Sequence, residues 1–199
     1  VPFADHKALL DPPTIDVSSR ILWMLSTWGF KKEHPQVARI LKFVKDNQEL
    51  DGCWFGRWGV NYIYGTFLAL NGLLAMGEDM NQPFNQKAIQ WLETHQNEDG
   101  GWGETCQSYE EPSLRGRGNS TASQTAWALL GLIAGGEAKG DVAKRGVEFL
   151  LRNQNELGTW WEDEFTGTGF PAHFFIKYHM YQHCFPLMAL GRYRQAIEK

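Results

Sequence analysis

The sequence predicts an all-α protein, a partial α/α (toroid) barrel in which outer helices alternate with inner ones. Three observations carry that prediction. One residue pattern recurs three times, the segment ahead of each copy is amphipathic with a helical period, and the segments between copies are apolar on nearly every face.

The recurring pattern aligns without gaps. Its copies are Arg39-Ile40, Phe43-Val44, Gln48 and Gly52-Cys53-Trp54; Lys87-Ala88, Trp91-Leu92, Gln96 and Gly100-Gly101-Trp102; and Arg145-Gly146, Phe149-Leu150, Gln154 and Gly158-Thr159-Trp160. Each has a base nine residues before a Gln, an aromatic five before it and a Trp six after it. The Gln residues stand 48 and 58 residues apart, and with only 9 Trp in 199 residues, three hits at one offset are not chance.

The outer helices lead into each copy. In the first, Val37, Ile40, Leu41 and Val44 follow the i, i+3, i+4, i+7 rule, and Arg39, Lys42 and Lys45 fall outside the stripe. Each helix should stop at a glycine turn such as Asp51-Gly52 or Asp99-Gly100-Gly101, where glycine takes the positive φ that a helix end often needs. The inner helices are Tyr64 to Met76, Thr125 to Ala134 and His183 to Leu190, with Ser120, Thr121 and Ser123 offering N-cap oxygens to the second. Helices apolar all round are buried between other layers. About four inner and three outer helices are too few to close a ring of roughly twelve, so residues 1–199 read as one incomplete barrel whose remainder lies upstream.

Composition narrows the function classes. Hydrophobic residues make up 43% and charged residues 21%, which excludes general disorder, whereas 14% aromatic residues is unusual. A net charge of −4 gives no basic footprint for nucleic acid. Cys53, Cys106 and Cys184 cannot all pair within one chain and lack CxxC spacing, so a reduced, cytoplasmic compartment is expected. The longest apolar stretch, Phe67 to Met76, is interrupted by Asn71 and is far short of the ~20 residues that span a bilayer. The start at Val1-Pro2-Phe3 has neither Met nor a signal-like segment, and hints at a piece of a longer chain.

The base–aromatic–Gln–Gly–Trp pattern resembles the QW motif of squalene–hopene and oxidosqualene cyclases. The resemblance extends over the whole chain through Asp11-Pro12-Pro13-Thr14-Ile15-Asp16-Val17, Gly52-Cys53-Trp54-Phe55-Gly56-Arg57-Trp58-Gly59-Val60-Asn61-Tyr62, Gly101-Trp102-Gly103-Glu104, Ser123-Gln124-Thr125-Ala126-Trp127, Thr166-Gly167-Thr168-Gly169-Phe170-Pro171 and Phe185-Pro186-Leu187-Met188-Ala189-Leu190-Gly191-Arg192-Tyr193. It favours the bacterial squalene–hopene branch. It implies proton-initiated cyclisation of squalene to hopene and hopanol, with no metal or organic cofactor. It further implies peripheral attachment to the cytoplasmic side of a membrane and allows a homodimer. Family members start the cascade at a DxDD acid that these residues lack, so this chain alone is expected to be inactive.

The chemistry asks for a dry chamber lined by groups that stabilise cations without attacking them. Aromatic faces do so at roughly 0.5–2 kcal/mol each. Phe170, Phe174, Tyr178 and Tyr181, spaced 4, 4 and 3 apart, form one stripe if the segment is helical. By resemblance, Phe170 and Phe174 stabilise late cations, Tyr178 and Tyr181 line the pocket, Gly169 permits close approach, and Trp58 is an active-site indole. Without the resemblance, such a stripe is ordinary core.

Asp16 and Arg20, at i and i+4, read on their own as a surface ion pair. By resemblance, Asp16 joins the hydrogen-bonded group around the initiating acid, and Arg20 stands where some family members carry a His that tunes it. Tyr64 by itself is a gap-filling Tyr, and by resemblance it helps to orient the water that returns a proton. Phe3, Ala4 and His6 fall at the family's substrate entry, but Ala4 and His6 replace a common Cys and Phe, which weakens that role. The QW residues are structural, their Gln bonding exposed backbone groups and their Trp covering them.

Rival readings remain. A prenyltransferase-type barrel would bind zinc through Asp51, Cys53 and one of His173, His179 and His183. A class II diterpene cyclase would use related domains. A non-enzymatic toroid would present Trp54, Trp102 and Trp160 to solvent as stacking platforms.

Overall fold

The computed structural model describes residues 12–171 and 173–198. Among the described residues, seven α-helices run in chain order: α1 (Ile15–Thr27), α2 (Pro35–Asp46), α3 (Tyr62–Ala75), α4 (Pro83–Thr94), α5 (Ala122–Ala134), α6 (Asp141–Arg152) and α7 (Tyr181–Ile197). Helices α1, α3, α5 and α7 pack side by side as the inner layer, and α2, α4 and α6 cover them from outside. The partial barrel, with four inner and three outer helices, is therefore the one the periodicity predicts.

Each turn after an outer helix is built by local hydrogen bonds that recur almost atom for atom. The indole nitrogens of Trp54, Trp102 and Trp160 donate to the carbonyls of Val44, Leu92 and Leu150, each at 2.8 Å. These carbonyls belong to the last turn of an outer helix, where carbonyls lack intrahelical partners. The Gln side chains stitch repeats together. Gln48 Nε2 donates to Gly52 and to Phe84 at the start of α4, and Gln96 Nε2 to Gly100 and to Val142 at the start of α6. The repeated base reaches back, Lys87 to the Leu50 carbonyl and Arg145 to those of Asn97 and Glu98. Gly52, Gly100 and Gly158 take φ of 106°, 87° and 73°.

Trp54, Trp102 and Trp160 are buried at 0%, 0% and 2% exposure, so they are not the solvent-facing platforms that a binding toroid requires. Below them, the inner helices hold the core. Twelve of the thirteen residues of α5 are buried, and Thr121 caps the helix by accepting from Gln124 N.

The condition for a single helical stripe is not met, and one expectation fails. The segment holding Phe170 and Phe174 is not helical. It forms an antiparallel hairpin of β1 (Gly167–Phe170) and β2 (Phe174–Ile176). Gly167 and Gly169 weaken a helix, Pro171 cannot continue one, and Phe174-Phe175-Ile176 favours a pleated strand. Gly169 sits where the register shifts between Thr168 and Phe170, and a Cβ there would stand 2.0 Å from the Phe174 ring. In addition, α7 is not buried all round. Phe185 and Ala189 face inward, whereas Leu187 and Met188 are exposed, because among the described residues α7 packs mainly on α5 and so is covered on one side.

Candidate functional site

The inner helices bring their N-terminal ends together, and the hairpin closes on the same end. The loop from Phe55 to Asn61, between the first QW turn and α3, lies at the centre. Trp58 sits on it. Its N–H donates to Asp16 Oδ2 at 2.7 Å and its carbonyl accepts from Thr168 N of β1 at 3.1 Å. Asp16 is 1% exposed and also accepts from Val17 N through Oδ1. It is thus no surface ion-pair partner, because its carboxylate is spent on backbone donors.

Arg20 directs its guanidinium to Tyr64, Nη2 donating to the hydroxyl at 3.0 Å, with the cation 5.7 Å from the ring centre. Tyr64 opens α3 and is buried. Burial raises its hydroxyl to about 12, the nearby Arg20 charge opposing that shift. The Tyr64 ring lies 4.8 Å from Trp127, which in turn faces Tyr181 at 6.0 Å and Phe185 at 5.5 Å. Tyr178 and Tyr181 stack at 4.7 Å, and burial raises the Tyr181 hydroxyl too.

Phe170 and Phe174 meet edge to face at 5.3 Å across the hairpin. Gly167 joins the two groups of residues, since a Cβ there would stand 2.5 Å from the Tyr178 ring and 2.9 Å from the Trp58 carbonyl. Trp58, Phe170 and Tyr181 are half-buried, while Phe174 and Tyr178 are 46% and 39% exposed. The nine expected site residues within the described part therefore gather at one end of the inner layer, on two strands, two loops and three helices rather than on one helical stripe. Phe3, Ala4 and His6 lie outside the described residues.

The zinc reading meets a chemical obstacle. Cys53 is buried, its thiol donates to Asp51 Oδ1 at 3.1 Å, and burial pushes its pKa far above the thiol range, the reverse of what a thiolate ligand needs. Among the described residues no group of three or more His, Cys, Asp or Glu stands close enough to hold a metal ion. No helix among them is long and apolar enough to cross a membrane.

Residue-by-residue reading missed the buried polar groups beneath the loop. Glu104 Oε2 accepts from Asn61 N at 3.2 Å and Ile63 N at 3.0 Å at the start of α3. Glu162 does the same service for α5, accepting from Ser123 N and Ser123 Oγ, both at 2.8 Å. Gln124 Nε2 donates to the Val60 carbonyl, and Tyr109 OH to that of Gly59. A signal existed, because a Glu stands two residues after the Trp in the second and third repeats.

A row of inner helices, tied by repeated Gln–Trp turns and ending in clustered aromatic rings, defines a partial α/α barrel. A structure of ent-copalyl diphosphate synthase from Streptomyces platensis shares this fold (TM-score 0.59, 17% identity, 94% of this chain and 33% of that one), as does a protein from Actinoplanes (TM-score 0.66, 15% identity, 92% and 56%). The particular family follows from sequence. Residues 1–195 match the family model described as squalene-hopene cyclase C-terminal domain, and the chain belongs to that family. The squalene–hopene cyclase of Zymomonas mobilis is 50% identical over 98% of this chain and 30% of its own length, and that of Alicyclobacillus acidocaldarius 50% over 100% and 32%. The chain thus spans about a third of the length of these curated relatives.

Proposed function

We propose that this chain forms the ring-lined part of the reaction chamber of a squalene–hopene cyclase, which folds squalene into hopene and hopanol through a cascade of carbocations. The reading rests on the gathering of Trp58, Tyr64, Phe170, Phe174, Tyr178 and Tyr181 at one end of the inner helices, in a chain whose relatives carry that name. The initiating proton comes from a DxDD carboxylic acid in the part of a family-length protein outside these residues. Protonation of a terminal alkene places positive charge on carbon, and each ring closure moves it along the substrate.

Water or a free lone pair would trap that charge early, so the chamber works by excluding both. Aromatic faces then lower the energy of each cation by roughly 0.5–2 kcal/mol, more when desolvated. Several together amount to orders of magnitude in rate at about 1.4 kcal/mol per decade. Phe170 and Phe174 face the later cations, and Tyr178, Tyr181 and Trp58 line the wall. Arg20 holds the Tyr64 hydroxyl by its oxygen, which turns the Tyr64 proton toward the chamber and the water that restores the acid. Asp16 fixes the Trp58 backbone while lying within the hydrogen-bonded group around the acid. Squalene is insoluble in water, so the working enzyme lies against a membrane surface.

A family-length protein incubated with squalene, with products read by mass spectrometry, should give hopene and hopanol; unreacted squalene would refute the reading. The 199-residue chain alone should give nothing. In the family-length enzyme, Phe174→Ala should release truncated, partly cyclised products, and an unchanged product set would remove Phe174 from the role. Arg20→Ala should lower turnover.

A further inference from the structure

The Trp58 peptide is held from every side. Asp16 of α1 takes its N–H and Thr168 of β1 donates to its carbonyl. Tyr109 OH reaches both flanking carbonyls, that of Gly59 at 2.7 Å and that of Arg57 at 3.2 Å. One residue further on, Val60 N donates to the Thr166 carbonyl and Val60 O accepts from Gln124 of α5. Then Glu104 takes the N–H groups of Asn61 and Ile63, while Asn61 Nδ2 donates to Ser108 Oγ. Glu104, Ser108 and Tyr109 lie within six residues of one another, Tyr109 closing a 3₁₀ turn over Cys106–Tyr109.

This pattern exceeds what a stable loop requires. A surface loop satisfies its backbone with water at little cost, and a helix start needs one capping oxygen. Here the buried Glu104, through Oε2, and the half-buried Tyr109, through its hydroxyl, are both committed to one short loop, and burying a carboxylate is unfavourable unless it is hydrogen-bonded. The loop ends in α3, whose first turn carries Tyr64, so the same contacts set both the Trp58 ring and the Tyr64 hydroxyl. The core under α3 is tight at this point, because a Cβ on Gly65 would lie 2.3 Å from the Trp54 carbonyl.

We infer that the segment from Glu104 to Tyr109 is a positioning clamp, in which Glu104 and Tyr109 hold Trp58 and Tyr64 in register with the migrating cation without touching the substrate. The inference rests on the cyclase reading above and deepens it. It assigns control of product fidelity to two side chains beneath the chamber wall. Because the clamp works through hydrogen bonds that an amide oxygen can also accept, Glu104→Gln should function where Glu104→Ala does not.

The test uses the family-length enzyme and its Glu104→Ala, Glu104→Gln and Tyr109→Phe variants, with kcat, KM for squalene and the product ratio measured on soluble protein. Misplacing a reacting group by about 1 Å costs on the order of 10²-fold in rate. Glu104→Ala should therefore lose up to that factor in kcat, keep KM near the parent value and shift product toward early-quenched, partly cyclised species. Tyr109→Phe, which removes one hydroxyl and little volume, should shift the products in the same direction more weakly. Glu104→Gln should restore most of the parent ratio. A purely structural role would lower the yield of folded enzyme and leave the product ratio alone. Parent-like products from soluble Glu104→Ala or Tyr109→Phe would overturn the clamp; a parent enzyme that leaves squalene untouched would overturn the cyclase reading itself.

Discussion

At the scale of single residues, the indole of Trp54 does two jobs. Its ring fills the space between outer and inner layers, and its N–H satisfies the buried Val44 carbonyl at 2.8 Å. Trp54→Phe keeps most of the ring and leaves that carbonyl without its donor, a cost of about 1–3 kcal/mol that chemical denaturation should detect. Gly146 sets a second contest. Alanine there would gain about 1 kcal/mol of helix propensity in α6, but its Cβ would lie 2.7 Å from the Trp102 ring and 3.0 Å from Leu129. Both neighbours are fully buried and cannot yield, so an overpacking cost of roughly 1–3 kcal/mol wins and Gly146→Ala should destabilise. A stabilised variant would show that the layers have slack.

Among the elements, the repeated turn acts as a hinge pin between one outer helix and the next. Gln96 bonds to Gly100 in its own turn and to Val142 at the start of α6, while Gln154 bonds only to Gly158 among the described residues. Gln96→Ala should therefore cost about twice as much as Gln154→Ala, at about 0.5–1.5 kcal/mol per bond lost. Equal losses would mean that the link between repeats carries no energy. This turn was legible because its bonds are local, the indole reaching a carbonyl ten residues back and the Gln amide one four residues on. The hairpin was not. Spacings of four and three among Phe170, Phe174, Tyr178 and Tyr181 mimic a helix, and only the glycines and Pro171 argued otherwise.

For the whole molecule, the parallel inner helices set an electrostatic problem. Their N-termini meet at the end where the aromatic rings gather, and each N-terminus carries partial positive charge. Glu104 and Glu162 stand at two of them, buried and bonded to backbone N–H groups. Burial raises both carboxyls above the ordinary 4.5, since a charged form is costly out of water. The folded protein thus binds these protons more tightly than the unfolded chain. The stability they contribute is fully present below pH 4.5 and is lost as pH rises through the raised values. Glu162→Gln, neutral at every pH, should flatten the fall in melting temperature above pH 4.5, and an unchanged slope would show that Glu162 is not part of it.

The sequence by itself determined the layer order, the glycine turns, the buried status of α3 and α5 and the family, because periodicity and short-range bonds are written within ten or so residues. It also supplied the identities of Asp16, Arg20, Trp58 and Tyr64, but not their partners. That Asp16 holds the Trp58 backbone 42 residues away, that Arg20 reaches Tyr64 across 44, and that Glu104 and Tyr109 grip the same loop from 41 to 52 residues off was decided only by tertiary packing. Such contacts depend on how whole helices are placed against one another. A buried carboxylate accepts whichever backbone donor that placement brings within reach, and no local pattern encodes which one it will be.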